Sequence, residues 1–194
     1  MIKSTKGTIK RVDPIRTLAE VQRVKKMIAD HPRNYALLVI GINTALRASD
    51  LCKITREEVR DLKAGDNLCI RMKKTVNRRS RGHLTITLNE DVIAAIQPLL
   101  IPGDGPLFVS EKTGSFLTES ALCRMVQDWC AMARLKGRYG SHSLRKTWAC
   151  LQLSVFKAKE EHISVALGHS SMRETRIYLG IQQEEVKNLF MNKI

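Results

Sequence analysis

A mainly α domain with one small antiparallel β-hairpin (an α+β arrangement) is the fold class this sequence predicts. Three observations lead there. Apolar residues recur at helical spacing through most of the chain, and most of those stretches open on a Ser, Thr, Asn or Asp suited to cap a helix. Only two neighbouring stretches alternate apolar and polar residues as strands do. The longest apolar run, Tyr35 to Ile42, is too short to span a membrane. The 194 residues are enough for one domain with a proper core.

Residues 1–16 form a basic segment, with Lys3, Lys6, Lys10, Arg11 and Arg16 against Asp13. It lacks an apolar period and reads as an N-terminal arm suited to phosphates, or as a plain tail. Residues 17–194 form the domain. Thr17 to Glu20 is a capping-box pattern ahead of the stripe Leu18, Val21, Val24, Met27 and Ile28. Asp30 to Arg33, with Pro32, reads as a turn. The helix from Tyr35 to Leu46 is apolar on almost every face and reads as the central buried one. Thr55 to Glu58 offers a second capping box. Leu68, Ile70 and Met72 alternate with polar neighbours, as do Leu84, Ile86 and Leu88, giving the two strands. Between them lies a strongly basic tip, Lys73 to Gly82. Asn89 or Asp91 caps the next helix, and Ile101 to Pro106 is loop. Leu107 to Val109 is a short apolar segment. Thr118 opens a long helix through Leu122, Val126, Trp129 and Met132. Lys136 to Gly140 is a basic turn, and Glu184 to Phe190 reads as a last amphipathic helix.

A formal charge of +14 beside 43% hydrophobic residues describes a folded, strongly basic protein, which favours a polyanionic partner. No helix pairs a basic face with an aromatic anchor, which argues against a membrane surface. No signal peptide is evident. Five Cys without a Cys-x-x-Cys pair argue for reduced cytosolic thiols rather than disulfides or zinc.

The chemistry concentrates between Ser141 and Gly180. Ser141 is a suitable N-cap for a helix through Leu144, Trp148, Leu151 and Val155, and it puts His142 and Arg145 on one face. A shorter helix runs from Glu160 to Leu167. Gly168 suits a left-handed helix end, His169 falls in the turn, and Ser170 or Ser171 caps a helix carrying Tyr178. Two such turns allow His142, Arg145, His169 and Tyr178 to converge. Arg is a planar fork for phosphate oxygens, and His donates hydrogen bonds or carries protons near neutral pH. A Tyr hydroxyl, with a pKa of about 10, becomes a nucleophile once activated. Together they suggest attack of Tyr on a phosphodiester held by cations. No acidic metal cluster accompanies them, and neither metal nor cofactor is expected.

Taken singly, each residue has a plainer reading: His142 and Arg145 as solvated surface, Gly168 and His169 as a helix end, Tyr178 as core. Taken in order, His142-Ser-Leu-Arg145, Leu167-Gly168-His169 and Tyr178 nine residues later resemble the catalytic domain of the tyrosine recombinase (phage integrase) family. Upstream, Thr44 to Leu51 resembles the family's first-arginine motif, with Arg47 in the phosphate-binding position and Asp50 supporting it. The resemblance covers roughly residues 16–193. It implies a site-specific recombinase that cuts and rejoins double-stranded DNA through a 3′-phosphotyrosyl intermediate. The catalytic set it implies is Arg47, Lys74, His142, Arg145, His169 and Tyr178. Lys74, followed by Thr75, fits the hairpin lysine better than Lys73, although the loop is longer than the family's usual turn. Lys73, Arg78, Arg79, Arg81, Lys136 and Arg138 are then contacts to DNA phosphates. The resemblance also implies a homotetramer on synapsed sites, a monomer or weak oligomer when free, and no membrane. It implies a cytoplasmic, nucleoid-associated location and a bacterial, phage or mobile-element origin.

Members of the family typically carry an N-terminal DNA-clamping domain, for which there are only about sixteen residues here. The expectation is either a short catalytic-domain-only member, like the fimbrial phase-switch recombinases, or a fragment. The loop Lys157 to Glu161, where a Gly is more usual, is a further departure. Two rival readings use the same basic surface. A type IB topoisomerase would act on a single duplex without synapsis, and a non-catalytic DNA-binding regulator would not need Tyr178.

Overall fold

The computed structural model describes residues 12–71 and 83–179. Nine α-helices and one two-stranded sheet are found among these residues. The helices α1 (Leu18–Met27), α2 (Pro32–Thr44), α3 (Ala48–Leu51) and α4 (Arg56–Val59) come first. Strands β1 (Asn67–Arg71) and β2 (His83–Thr87) follow, then α5 (Glu90–Ile96), which tightens into a 3₁₀ turn at Gln97–Leu99. The C-terminal helices are α6 (Glu119–Met132), α7 (Ser141–Ser154), α8 (Glu160–Leu167) and α9 (Met172–Leu179).

The caps explain why these helices begin where they do. The Thr17 hydroxyl accepts from Glu20 N–H at 3.1 Å, and the Glu20 carboxylate accepts from Thr17 N–H at 3.1 Å. At α4 the Glu58 carboxylate accepts from Thr55 N–H at 2.9 Å. Asn89 Oδ1 accepts from Val92 N–H, and Thr118 Oγ1 from Ala121 N–H. Each satisfies amide groups that a helix start leaves without an intrahelical partner.

Two helix starts differ from the sequence expectation. Pro32 is the first residue of α2 and not part of the preceding turn. Its missing N–H costs nothing in a helix's first turn, and its fixed φ suits that position. Ser141 is the first residue of α7 rather than its cap. Gly140 takes the cap position, and its N–H donates to Ser143 Oγ at 3.1 Å.

In the sheet β1 runs antiparallel to β2, with Leu68 opposite Ile86 and Ile70 opposite Leu84. Leu68 and Ile70 face the core, while Cys69, Thr85 and Thr87 face solvent, as a two-residue period requires. The basic tip with Lys73, Lys74, Arg78, Arg79 and Arg81 lies outside the described residues, as does the segment Glu184 to Phe190.

The central helix is α2. It packs against α7 on one side and α5 on another, and Ala36 to Ile42 are all buried. Gly41 permits the α2–α7 contact: a Cβ there would lie 2.6 Å from Leu144 Cδ1 and 3.0 Å from Leu144 Cβ. A second, smaller core gathers Ala45, Ala149, Ile163, Leu167 and Leu179, with Trp148 and Tyr178 packed on it. This core unites α7, α8 and α9 with the end of α2.

Residues 12–16, assigned from sequence to the arm, lie along α7. Ile15 is fully buried. Its N–H donates to Thr147 Oγ1 at 2.8 Å, and Lys146 Nζ donates to the Val12 carbonyl at 3.0 Å. Asp13 clasps the α6–α7 turn, where its carboxylate accepts from Arg138 N–H at 2.9 Å. Among the described residues no helix is long and apolar enough to cross a membrane. All five cysteines are free thiols.

Candidate active site

Four of the predicted residues come together where the small core meets the end of α2. The chain leaves α2 through Ala45 in the left-handed region (φ 54°) and turns into extended backbone at Arg47 before α3 begins. This sharp exit places a half-buried Arg47 beside the C-terminal helices. Arg145, one turn into α7, is almost fully buried at 6% exposure. Its Nη1 donates to the Ala45 carbonyl, and its Nη2 donates to the Leu167 carbonyl at 2.5 Å. One guanidinium thus ties the C-terminal ends of α2 and α8, where carbonyls lack intrahelical partners. A guanidinium has five N–H groups, so these two bonds do not exhaust its donors.

Burial opposes the charge of Arg145, as does the positive charge of Arg47, while Tyr178 and Asp50 support it. Asp50, buried in α3, accepts from the Ser49 hydroxyl at 3.3 Å. Its carboxylate therefore acts on Arg145 as well as lying three positions after Arg47 in sequence.

His169 follows Gly168, which ends α8 in the left-handed conformation (φ 60°), where a glycine carries no Cβ penalty. The His169 N–H donates back to the Ser164 carbonyl at 3.1 Å, which fixes the turn. Its ring meets the Tyr178 ring edge-on, with centroids 5.2 Å apart and planes at 74°. Burial lowers the His169 pKa. Glu174 works against that shift, and the cations Arg145 and Arg47 add to it.

Tyr178 rides on α9, whose start is capped by the Ser171 hydroxyl accepting from Glu174 N–H at 3.3 Å. Among the described residues the buried Tyr178 hydroxyl has no hydrogen bond of good geometry, although Arg145 lies close enough to act on it. Burial pushes its pKa up to about 12, against the pull of the Arg145 and Arg47 charges. Lys146 Nζ sits 5.3 Å from the centre of the Tyr178 ring, within cation–π range.

Arg47, Arg145, His169 and Tyr178 therefore share one electrostatic neighbourhood. His142 lies exposed in the first turn of α7. Among the described residues no hydrogen bond or ion pair joins it to the other four. Lys136 and Arg138 are exposed on the α6–α7 turn, where Asp13 holds the Arg138 backbone. Among the described residues no three His, Cys, Asp or Glu side chains gather as a metal site would require.

Three residues at this site went unnoticed in the sequence: Lys146, Thr175 and Ser164. Thr175 accompanies Tyr178 on one helix face, three positions earlier, and Lys146 directly follows Arg145. Nothing in the sequence pairs Ser164 with either. Chemically, the arrangement can hold an anion between two guanidinium groups and present a phenol beside it.

Comparison with known proteins came to the same region. The profile of the phage integrase family matches residues 3–185. The chain is 29% identical over 177 residues to the probable integrase/recombinase YoeC of Bacillus subtilis, covering 91% of this chain and 93% of that protein. It is 29% identical over 158 residues to the tyrosine recombinase XerH of Campylobacter jejuni, covering 80% of this chain and 43% of that protein. The chain thus spans nearly all of the first relative and less than half of the second. Among solved structures, XerA recombinase superposes with a TM-score of 0.71 at 20% identity, over 96% of this chain and 66% of that one. XerH bound to its palindromic difH substrate gives 0.68 at 20% identity, over 92% and 53%. These superpositions bear out the mainly helical fold with one small hairpin.

Proposed function

Because this chain belongs to the phage integrase family, we propose that it is a tyrosine-type site-specific recombinase that breaks and rejoins double-stranded DNA. The observation that carries the reading is the convergence of Arg47, Arg145 and His169 on the Tyr178 side chain. Its relatives bear recombinase names, which supports the same reading.

Arg47 and Arg145 hold the non-bridging oxygens of the scissile phosphate and stabilise the charge that builds in the transition state. Tyr178 Oη attacks phosphorus and forms a 3′-phosphotyrosine. The bond to the 5′-oxygen breaks, and Lys74 protonates that oxygen as it leaves. His142 accepts the Tyr178 proton or helps to orient the phenol. His169 donates a hydrogen bond to a phosphate oxygen. Attack by another strand's 5′-hydroxyl reverses these steps and reseals the backbone with the phosphodiester energy retained. Lys73, Arg78, Arg79, Arg81, Lys136 and Arg138 contact flanking phosphates, and four protomers assemble on two synapsed sites.

Covalent trapping tests this. The protein is incubated with a nicked suicide duplex taken from its native locus, and an SDS-resistant adduct is sought. The expected result is an adduct that disappears in Tyr178→Phe. Tight binding with no adduct, or an adduct that survives in Tyr178→Phe, would sink the assignment. Relaxation of a single supercoiled circle without synapsis would point to a topoisomerase instead.

A further inference from the structure

The His169 ring is tethered on the side leading into the protein. Its Nδ1 lies 2.9 Å from Thr175 Oγ1, and Thr175 Oγ1 donates to Ser164 Oγ at 2.9 Å. Thr175 is fully buried and Ser164 is 7% exposed, so neither hydroxyl trades partners with bulk water. A hydroxyl owns one hydrogen. With that hydrogen directed at Ser164, Thr175 meets the imidazole as an acceptor, and Nδ1 carries the proton. A neutral imidazole has a single N–H, so Nε2 is left with only a lone pair.

That lone pair conflicts with binding a phosphate oxygen, which needs a donor. The charged and titratable groups around the ring are Arg145 from α7, Arg47 from the turn before α3, and Glu174 and Tyr178 from α9. The two cations resist a third positive charge at His169. A bound phosphodiester would offset them and favour it. We infer that Thr175, anchored by Ser164, locks His169 as its Nδ1–H tautomer, so that the ring donates to the scissile phosphate only after taking up a proton at Nε2. The proton comes from solvent as DNA binds. The inference rests on the reading of this site as a phosphate site. Thr175 and Ser164 are positioning residues, since neither touches the reacting atoms.

The test uses the full chain with ¹⁵N-labelled histidine, free of DNA, at about pH 8, where an ordinary imidazole is neutral. A two-bond ¹H–¹⁵N correlation reads the tautomer of each of the five histidines, with His169→Asn assigning the signal. Wild type and Thr175→Ser are expected to show His169 as Nδ1–H, and Thr175→Val as Nε2–H. A wild-type Nε2–H ring, or a tautomer unmoved in Thr175→Val, overturns the proposal. The wild-type spectrum alone decides it if Thr175→Val does not fold.

Calorimetry with the native-locus duplex, in two buffers of different ionisation heat, gives the second reading. Wild type should take up about one proton per site bound, and Thr175→Val none, because its Nε2–H donates without one. No uptake by wild type overturns the proposal. The tautomer is read without DNA, so a missing Tyr178-dependent adduct removes the recombinase assignment and leaves the tautomer lock standing.

Discussion

Replacing Gly41 by alanine sets two effects of known sign against each other. Gly41 is inside α2, where alanine is favoured over glycine by about 0.8–1.0 kcal/mol. The new methyl, however, meets Leu144 of α7, with Cδ1 at 2.6 Å and Cβ at 3.0 Å. The Cδ1 atom belongs to a flexible side chain, but Leu144 is 1% exposed and has filled space around it. The Cβ atom, at 3.0 Å, needs to give by only a few tenths of an ångström, so the clash lies mainly with the Leu144 branch. Overpacking of this kind costs about 1–3 kcal/mol. Packing wins, and Gly41→Ala should lose about 1 kcal/mol net, lowering the melting temperature by about 2–4 °C for a chain of this size. Leu144→Ala removes the clashing branch and alone costs about 2–5 kcal/mol. In that background Gly41→Ala should change sign and stabilise by about 1 kcal/mol, from helix propensity and partial refilling of the gap. Urea melts of the four proteins measure this. The reasoning fails if Gly41→Ala stabilises the wild type, or if it shifts stability in the same direction in both backgrounds.

Arg145→Lys should lose about 1–3 kcal/mol of stability, because one ammonium cannot bridge the Ala45 and Leu167 carbonyls as the guanidinium does. It should also abolish the covalent adduct, and a variant that melts and traps like wild type would refute the bridging role. Alkaline pH should destabilise the fold. Burial raises the Cys52 and Cys130 thiols from 9.0 to about 12 and Tyr178 from 10.0 to about 12. The unfolded chain therefore releases these protons first, so stability is full below about pH 9 and is lost as pH climbs toward 12. Urea midpoints that stay flat or rise from pH 8 to pH 11 would contradict this. In the native protein a thiol reagent should modify exposed Cys69 first and leave Cys52 and Cys130 intact. Mass mapping of the labelled peptides reads the order.

The legible parts of this structure are those whose cause is local. Gly168 ends α8 as its neighbours predict, because a left-handed helix end is a property of a few residues. Thr17, Thr55, Asn89 and Thr118 cap their helices for the same reason. Arg145 and Tyr178 were marked by spacing along the chain and by family resemblance together. The parts that escaped depend on distant partners. Ile15 sits in a stretch with no apolar period, yet it joins the core, and Thr147, 132 positions away, accepts its N–H. Gly41 looks like a weak point in an apolar helix until Leu144 is seen against it. Thr175 reads as an ordinary polar residue, and only the approach of α8 to α9 gives it Ser164 and His169 as partners. His142 shows the opposite limit, since the helical period places it near Arg145, yet among the described residues no hydrogen bond joins its ring to the site.

The segment from Val12 to Arg16 adds a mechanical aspect. It is held at Asp13, Ile15 and Val12, and the ammonium that holds Val12 also lies over the Tyr178 ring. One α7 ammonium therefore touches both the chain ahead of α1 and the phenol ring. The residues ahead of α1 are thus stitched to the same helix that carries Arg145.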